Sequence, residues 1–439
     1  MWFRRDLRLH DNPALLAACA ADEVVPLFVL DPVLWDRAGK VRRAYLAASL
    51  ASLDESLGGS LVVRRGDPVE VVPAVAREVE AMTVHLAADY GPYGARRDEA
   101  VTEALLEHQV ETQPLGSPYA VAPGRVKNGS GDPYKVYSAF QRAWADHGWR
   151  DPVDAPKRQA WADLRSDKVP DVALPKGTEI ATAGEKAARR AWKRFLDGPV
   201  DDYDEGRDIP GGDGVSRMST YLRWGEIHPR TMLADLARKR SASSATYRKE
   251  LAWREFYADV LWHNPQSARE DLRASFSAMT YDDPGEAFEA WKKGETGFPI
   301  VDAGMRELVA TGFMHNRVRM IVASFLVKDL HVWWRHGARH FMEWLADGDL
   351  ASNQHNWQWV AGSGTDAAPY FRIFNPTSQG KKFDPDGTYV RRWVPELKDV
   401  PTKVIHEPQD VEGYPDPIVD HKEERAESLR RFEKTKGRG

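Results

Sequence analysis

The sequence predicts an α/β N-terminal domain built on a parallel, Rossmann-like sheet, followed by an all-α C-terminal domain. Three observations carry this reading. Short aliphatic runs alternate with helical stretches through residues 1–125, and beyond residue 185 the periodicity is helical throughout. The chain of 439 residues also exceeds what one core comfortably organises, since domains cluster at about 100 to 200 residues.

The elements follow in order. Residues 1–3 form the first strand, short enough that a start assigned several residues late would explain it. Residues 24–30, 61–63 and 83–87 are β-branched or aliphatic and read as buried parallel strands. Residues 45–57 and 95–107 carry apolar side chains at helical spacing between them. From 126 to 185 the chain turns to Pro, Asp, Lys and Gly, a long interdomain connection around a short helix at 134–147. The helical domain then occupies 186–439, with helices over 187–196, 247–263, 288–293, 301–311, 318–331 and 339–346. The charged stretch from His421 is expected to fray.

Composition excludes more than it selects. With 61 Lys and Arg against 66 Asp and Glu, net charge is silent about nucleic acid, so any basic surface must be local. The single cysteine, Cys19, forbids an intrachain disulfide and any multi-cysteine metal or cluster site, and suits a reducing cytoplasm. No stretch approaches a membrane span or a secretory leader, so a cytoplasmic protein is expected. Tryptophan is the unusual residue: 16 are present, outnumbering Tyr and Phe separately, and ten lie after residue 220.

Generic motifs fail one by one. Gly362-Ser363-Gly364-Thr365-Asp366-Ala367 has dinucleotide-loop spacing but lies in a helical region, without the strand-turn-helix context its glycines need. The sequence holds no Walker A, H-E-x-x-H or G-x-S-x-G pattern, so phosphoryl transfer, zinc hydrolysis and serine hydrolysis lack their residues.

Four tracts are more informative. Gly214-Val215-Ser216-Arg217-Met218-Ser219 opens a helix after a glycine-rich loop, where N–H groups, hydroxyls and a guanidinium can converge on an anion. Capping of an ordinary helix by Ser216 accounts for the same pattern. Asp347-Gly348-Asp349 sets two carboxylates beside a turn, fit for a ribose, for Arg319 or for solvent. Glu250, Trp253, Arg254 and Tyr257 share one helical face, so an acid, an indole and a base need a polar partner or an ordinary salt bridge. Between Arg306 and His340, six Lys or Arg face two acids, the footprint expected where DNA phosphates land, or simply a solvated face.

Together with Trp2-Phe3-Arg4-Arg5-Asp6-Leu7-Arg8, residues 203–219, 314–320, 347–359 and 371–380, these tracts resemble the photolyase and cryptochrome family over essentially the whole chain, most closely its class I cyclobutane pyrimidine dimer photolyases. The resemblance implies an antenna-binding α/β domain, and a helical domain that holds FAD, in the working state FADH⁻. It assigns FAD contacts to Tyr203, Val215, Ser216, Arg217, Met218, Ser219, Arg254, Arg319, Asp347, Gly348 and Asp349, with Asn353 facing flavin N5. Glu250, Asn316, Met320 and Asn353 take the catalytic positions. Glu250, Trp253, Arg254, Tyr257, Asn316, Arg317, Trp359, Arg372 and Gln379 take those that hold DNA with a flipped dimer. Stacking on an indole is worth about 1 to 3 kcal/mol per base, comparable with the cost of extruding a damaged one.

Asn353, Asn316 and Met320 match the repair branch of this family, where signalling relatives of the plant type resemble one another in having Asp at the first position. Light-driven dimer repair by electron transfer from excited reduced FAD is therefore expected of a monomer acting on DNA. A cryptochrome-like receptor without repair, and a flavoprotein that merely binds DNA, are the alternatives. The family's tryptophan path for photoreduction falls on Trp357 and Trp334, but Tyr281 stands where its third tryptophan should be. Either Tyr281 ends the path, or Trp291 or Trp333 reroutes it. The tract from Asp89 to Asp98 resembles the deazaflavin-binding branch, so an 8-hydroxydeazaflavin antenna is expected.

Overall fold

The aliphatic runs of the N-terminal part become strands that pair in parallel throughout. In order they are β1 (Trp2–Phe3), β2 (Glu23–Val24), β3 (Leu27–Leu30), β4 (Val62–Arg65), β5 (Thr83–Leu86), β6 (Glu111–Pro114) and β7 (Ala160–Trp161). One sheet has the order β1-β3-β4, with Trp2 opposite Leu27 and Leu27 opposite Val62; β5 pairs with β6, and β2 with β7. All four residues of β3 are buried, which is why it reads as a continuous apolar run and not as an alternating one. Helices Lys40–Ser56, Pro68–Glu78 and Pro92–Leu106 make the crossovers. Each of the latter two has a proline in its first turn, and Asp67 caps the former by accepting from the Val69 N–H. The core between these layers contains Trp2, Leu27, Val29, Val62, Val72, Val75, Val101 and Leu105.

The computed structural model describes residues 1–157, 159–366 and 371–436. The chain divides into two units: Met1–Pro175, Ala181–Asp201 and Ser216–Pro265 in the first, and Lys176–Ile180, Asp202–Val215 and Gln266–Gly439 in the second. Besides the strands, the first contains helices Glu185–Leu196, Pro229–Ala237 and Ala242–His263. The second is helical, and past Trp161 the described residues form nothing more strand-like than a bridge between Asp282 and Val332. Its core gathers Trp291, Phe325, Trp334, Phe341, Trp357 and Tyr389 from helices Glu286–Lys293, Asn316–Lys328, Trp334–Trp344, Leu350–Ala361 and Thr388–Trp393.

Three expectations are corrected. Through Lys436, the last described residue, the stretch from His421 does not fray: it is the helix His421–Lys436. It lacks an apolar stripe because charged partners hold it, His421 on Asp329, Glu424 on His331 at 2.7 Å, and Arg431 on Asp282 at 2.9 and 3.0 Å. The helix expected over 318–331 stops at Lys328, and the one expected from 339 begins at Trp334. Gly362, at φ 96°, closes the helix Leu350–Ala361, so the dinucleotide-like spacing begins where a helix ends; its Ala367 lies outside the described residues.

Candidate active site

In the second unit the site is organised by a chain of amides. The Ala268 carbonyl can only accept, so it fixes the Gln354 Nε2 toward itself at 2.8 Å. That turns Gln354 Oε1 toward Asn353, whose Nδ2 donates to it at 2.9 Å and to the Ala338 carbonyl at 3.0 Å. Both Asn353 donors are thereby used, and Oδ1 remains as an acceptor without a partner among the described residues. Asn353 is 8% exposed, so this polarity is set by the protein and not by solvent. Asp349 caps the same helix, accepting from the Ser352 N–H at 3.0 Å, and Asp347 is paired with Arg319 at 2.8 Å. Arg319 also donates from Nε to the Met314 carbonyl at 2.7 Å. Of the three roles open to Asp347-Gly348-Asp349, pairing with Arg319 is realised.

Asn316 is exposed at the start of helix Asn316–Lys328, and Met320 lies half-buried one turn on. Arg317 is paired with Asp208 at 2.8 Å and packs over the Phe383 ring at 4.4 Å. Tyr203 is buried under the Arg207 guanidinium. Trp359 donates from Nε1 to the Asp366 carbonyl at 3.1 Å, while Arg372 is exposed and Gln379 half-buried.

The expected basic footprint over Arg306 to His340 does not form as a surface. Arg306 is bound to Glu396 at 2.8 Å, Arg317 to Asp208 and Arg319 to Asp347. Lys328 is buried, donating to the Arg372 carbonyl with its Nζ over the Phe371 ring; burial lowers its pKa to about 7. Counting charges along the sequence could not see that four of the six cations are spent on packing and pairing.

Trp357 and Trp334 are both buried in the unit's core. Trp357 packs edge-on against Phe341 at 5.0 Å and its Nε1 has no partner among the described residues. A Cβ at Gly337 would lie 2.2 Å from the Trp357 ring, so the glycine is what lets the helix Trp334–Trp344 approach it. Trp334 donates from Nε1 to the Asp271 carboxylate at 2.8 Å, a partner that sequence reading missed because Asp271 lies outside every motif. Trp333 lies 6.0 Å from Trp334, edge-on. Tyr281 packs against the same core with its hydroxyl buried and unpartnered.

In the first unit, helix Ala242–His263 places the Glu250 face as its spacing predicts, but the protein meets part of its polar demand. Arg254 donates to the Pro118 and Leu222 carbonyls at 2.9 and 3.2 Å and covers the Tyr119 ring at 4.6 Å. Trp253 stacks on Tyr137, centroids 3.6 Å apart and planes 6° from parallel, and Tyr257 leans on it at 5.3 Å. Glu250 is half-buried. Glu255, one residue past Arg254, is the buried structural acid: it accepts from Val121 N–H at 2.9 Å and from the Trp144 indole at 2.6 Å. Ser216 is not the cap of the following helix, Ser219–Trp224, which is Met218; its hydroxyl accepts from the Met218 N–H at 3.3 Å and lies 2.7 Å from that of Tyr247. Arg217 holds a left-handed φ of 53°, a strained conformation for a side chain of its size.

The Asp89 to Asp98 tract is internally paired. Arg97 meets Asp98 at 2.8 Å and Asp89 at 3.4 Å, Arg4 meets Asp98 at 2.5 Å, and both guanidinia lie over the Trp2 ring at 5.2 and 4.4 Å. Tyr93 donates to Asp31 at 2.5 Å. Among the described residues no cluster of His, Cys, Asp and Glu could hold a metal, and no helix is long and apolar enough to cross a membrane.

Residues 1–157 match the DNA photolyase family, and residues 247–434 the FAD binding domain of DNA photolyase. The chain is 43% identical to the deoxyribodipyrimidine photo-lyase of Streptomyces griseus, across 99% of this chain and 98% of that protein. The crystal structure of a bacterial class III photolyase from Agrobacterium tumefaciens superposes with a TM-score of 0.94 at 39% identity, covering 99% of this chain and 97% of that one. A cryptochrome from Synechocystis sp. PCC6803 superposes with a TM-score of 0.90 at 28% identity, with 98% of each chain covered.

Proposed function

We propose that this chain, which belongs to the DNA photolyase family, splits cyclobutane pyrimidine dimers in DNA with light. It is a deoxyribodipyrimidine photo-lyase by activity, and its helical part binds FAD. When bound in reduced form, that group supplies one electron to the dimer on absorbing blue light. The observation that carries the site reading is the orientation of Asn353. With both its N–H bonds committed to Ala338 and Gln354, it offers a neutral oxygen, the partner a reduced flavin's N5–H requires. A carboxylate there would set a second negative charge beside an anionic ring.

The remaining roles divide by chemistry. The Arg319–Asp347 pair and the capped turn at Asp349 give a rigid polar rim suited to the nucleotide part of FAD, with Tyr203 and residues 215–219 as further contacts. Arg254, tied to two carbonyls, positions its helix more than it binds ligand. Glu250 hydrogen-bonds the pyrimidine edges and steadies the charge that arrives on the dimer. By the family resemblance, Trp253, Tyr257 and Trp359 are assigned to stacking on the dimer and Asn316 and Met320 to contacting it, while Arg372 and Gln379, and Arg317 where a phosphate displaces Asp208, are assigned to the DNA backbone. An 8-hydroxydeazaflavin antenna is assigned to the N-terminal domain, at the paired tract from Asp89 to Asp98.

Reduced, FAD-loaded protein mixed with a thymine-dimer oligonucleotide gives the test. Restored thymines under blue light and none in the dark are expected. Repair in the dark, or no repair in light, overturns the reading, and the second result would favour a cryptochrome-like receptor.

A further inference from the structure

We propose that Asp271 makes Trp334 the end of the photoreduction path, by accepting the indole proton once Trp334 has been oxidised. The proposal rests on the flavin reading above and adds a residue that no motif contains. Trp334 is fully buried, and its Nε1–H donates to the Asp271 carboxylate at 2.8 Å. Among the described residues of this unit, no other indole is hydrogen-bonded to a carboxylate: Trp357 and Trp333 have buried Nε1 atoms without partners, and Trp291 donates to the Val322 carbonyl at 3.0 Å. Asp271 is half-buried, so it can exchange a proton with solvent that Trp334 cannot reach.

The competing terminus is closed by its surroundings. An oxidised phenol is so acidic that its proton must leave with the electron, and the Tyr281 hydroxyl is buried with no acceptor among the described residues. Burial, and then the charge of Asp271, push that phenol well above its ordinary range. Indole differs, because its cation radical survives long enough to travel and becomes acidic enough to protonate a carboxylate in contact. A negative charge at hydrogen-bond distance also stabilises the cation before the proton moves, more strongly in a buried site than in water. Both effects act at Trp334.

The oxidant is bound oxidised FAD excited by blue light, which is reduced by one electron taken from Trp357. Trp334 refills Trp357 and is left one electron short. Its N–H bond breaks toward Asp271, where an O–H bond forms, giving a neutral indolyl radical and a carboxylic acid. A thiolate in solution later returns the electron, and Asp271 the proton.

Transient absorption on the full, FAD-loaded chain decides the matter. The parent should end in a neutral tryptophanyl radical, formed more slowly in D₂O, and Y281F should leave it unchanged. D271N, which keeps the shape and removes the proton acceptor, should show only a cation radical with a lifetime shorter by about tenfold or more, the change that one pKa unit of lost driving force produces. D271E should restore the neutral species. A tyrosyl radical lost in Y281F, a radical lost in W333F, or D271N indistinguishable from the parent would each overturn the assignment. Should D271N misfold, the solvent isotope effect on the parent still decides, its absence counting against proton transfer. Repair by dithionite-reduced protein is measured separately, so a failed repair counts against the proposed function while the radical spectra judge Asp271.

Discussion

Asn353 shows how much a single amide can carry when its orientation is forced. In N353D the oxygen that replaces Nδ2 would face both the Ala338 carbonyl and Gln354 Oε1, replacing two donated hydrogen bonds with opposed lone pairs. Denaturant melts should show a loss of about 1 to 3 kcal/mol, the cost of leaving buried polar groups unsatisfied. Repair by the reduced protein should slow by about tenfold or more, since one pKa unit of misplaced charge is a factor of ten. Glu250 is a second residue with a defined stake. Removing a charge-assisted hydrogen bond loses about 1.5 to 3 kcal/mol, so E250A should repair about ten- to a hundredfold more slowly at saturating oligonucleotide. A rate equal to the parent's would remove Glu250 from the mechanism.

At the scale of elements, helix Trp334–Trp344 and helix Leu350–Ala361 pack on each other through a missing side chain. G337A would drive a methyl group to 2.2 Å from Trp357 and 2.5 Å from Leu326, neither of which is the loose end of a flexible chain. Overpacking of this kind costs about 1 to 3 kcal/mol, and calorimetry should find the variant's Tm lowered, with Trp357 fluorescence altered. The same helix pair marks the limit of what the sequence could say. Helix Leu350–Ala361 escapes any search for an apolar stripe because its buried face is polar: Asn353, Gln354, His355 and Gln358 are all buried. Only the family resemblance drew attention to it. Strand β6, Glu-Thr-Gln-Pro, is likewise polar and was invisible to a search for aliphatic runs, although it pairs fully with β5. The strands and helices with apolar spacing were legible because one physical effect, burial of hydrocarbon, both shapes the pattern and forms the element. Helix His421–Lys436 shows the converse, since ion pairs between distant residues leave no local period.

For the whole molecule, two buried groups give its two units opposite responses to pH. Glu226 is fully buried in the first unit, accepting from Tyr45, Ser49 and the Gly184 N–H, and burial raises it from 4.5 to about 7. Between those values the folded unit holds more proton than the unfolded chain, so stability falls as pH rises from about 4.5 to 7. Lys328 in the second unit is lowered from 10.5 to about 7, chiefly by burial, so there the unfolded chain holds more proton and stability rises from about 7 to 10.5. E226Q should therefore flatten the acid slope, and K328M should gain most at or below neutrality and nothing above pH 10.5. Melts across pH that leave both slopes intact would refute these assignments. The interleaving of the two units in the chain has a practical consequence of another kind. Each is assembled from three separate stretches, so a gene cut at any one point yields no fragment that owns a complete unit without part of the other. Protease nicking in a connecting stretch should leave both pieces held together until denaturant is added, and half-genes should express as insoluble chains.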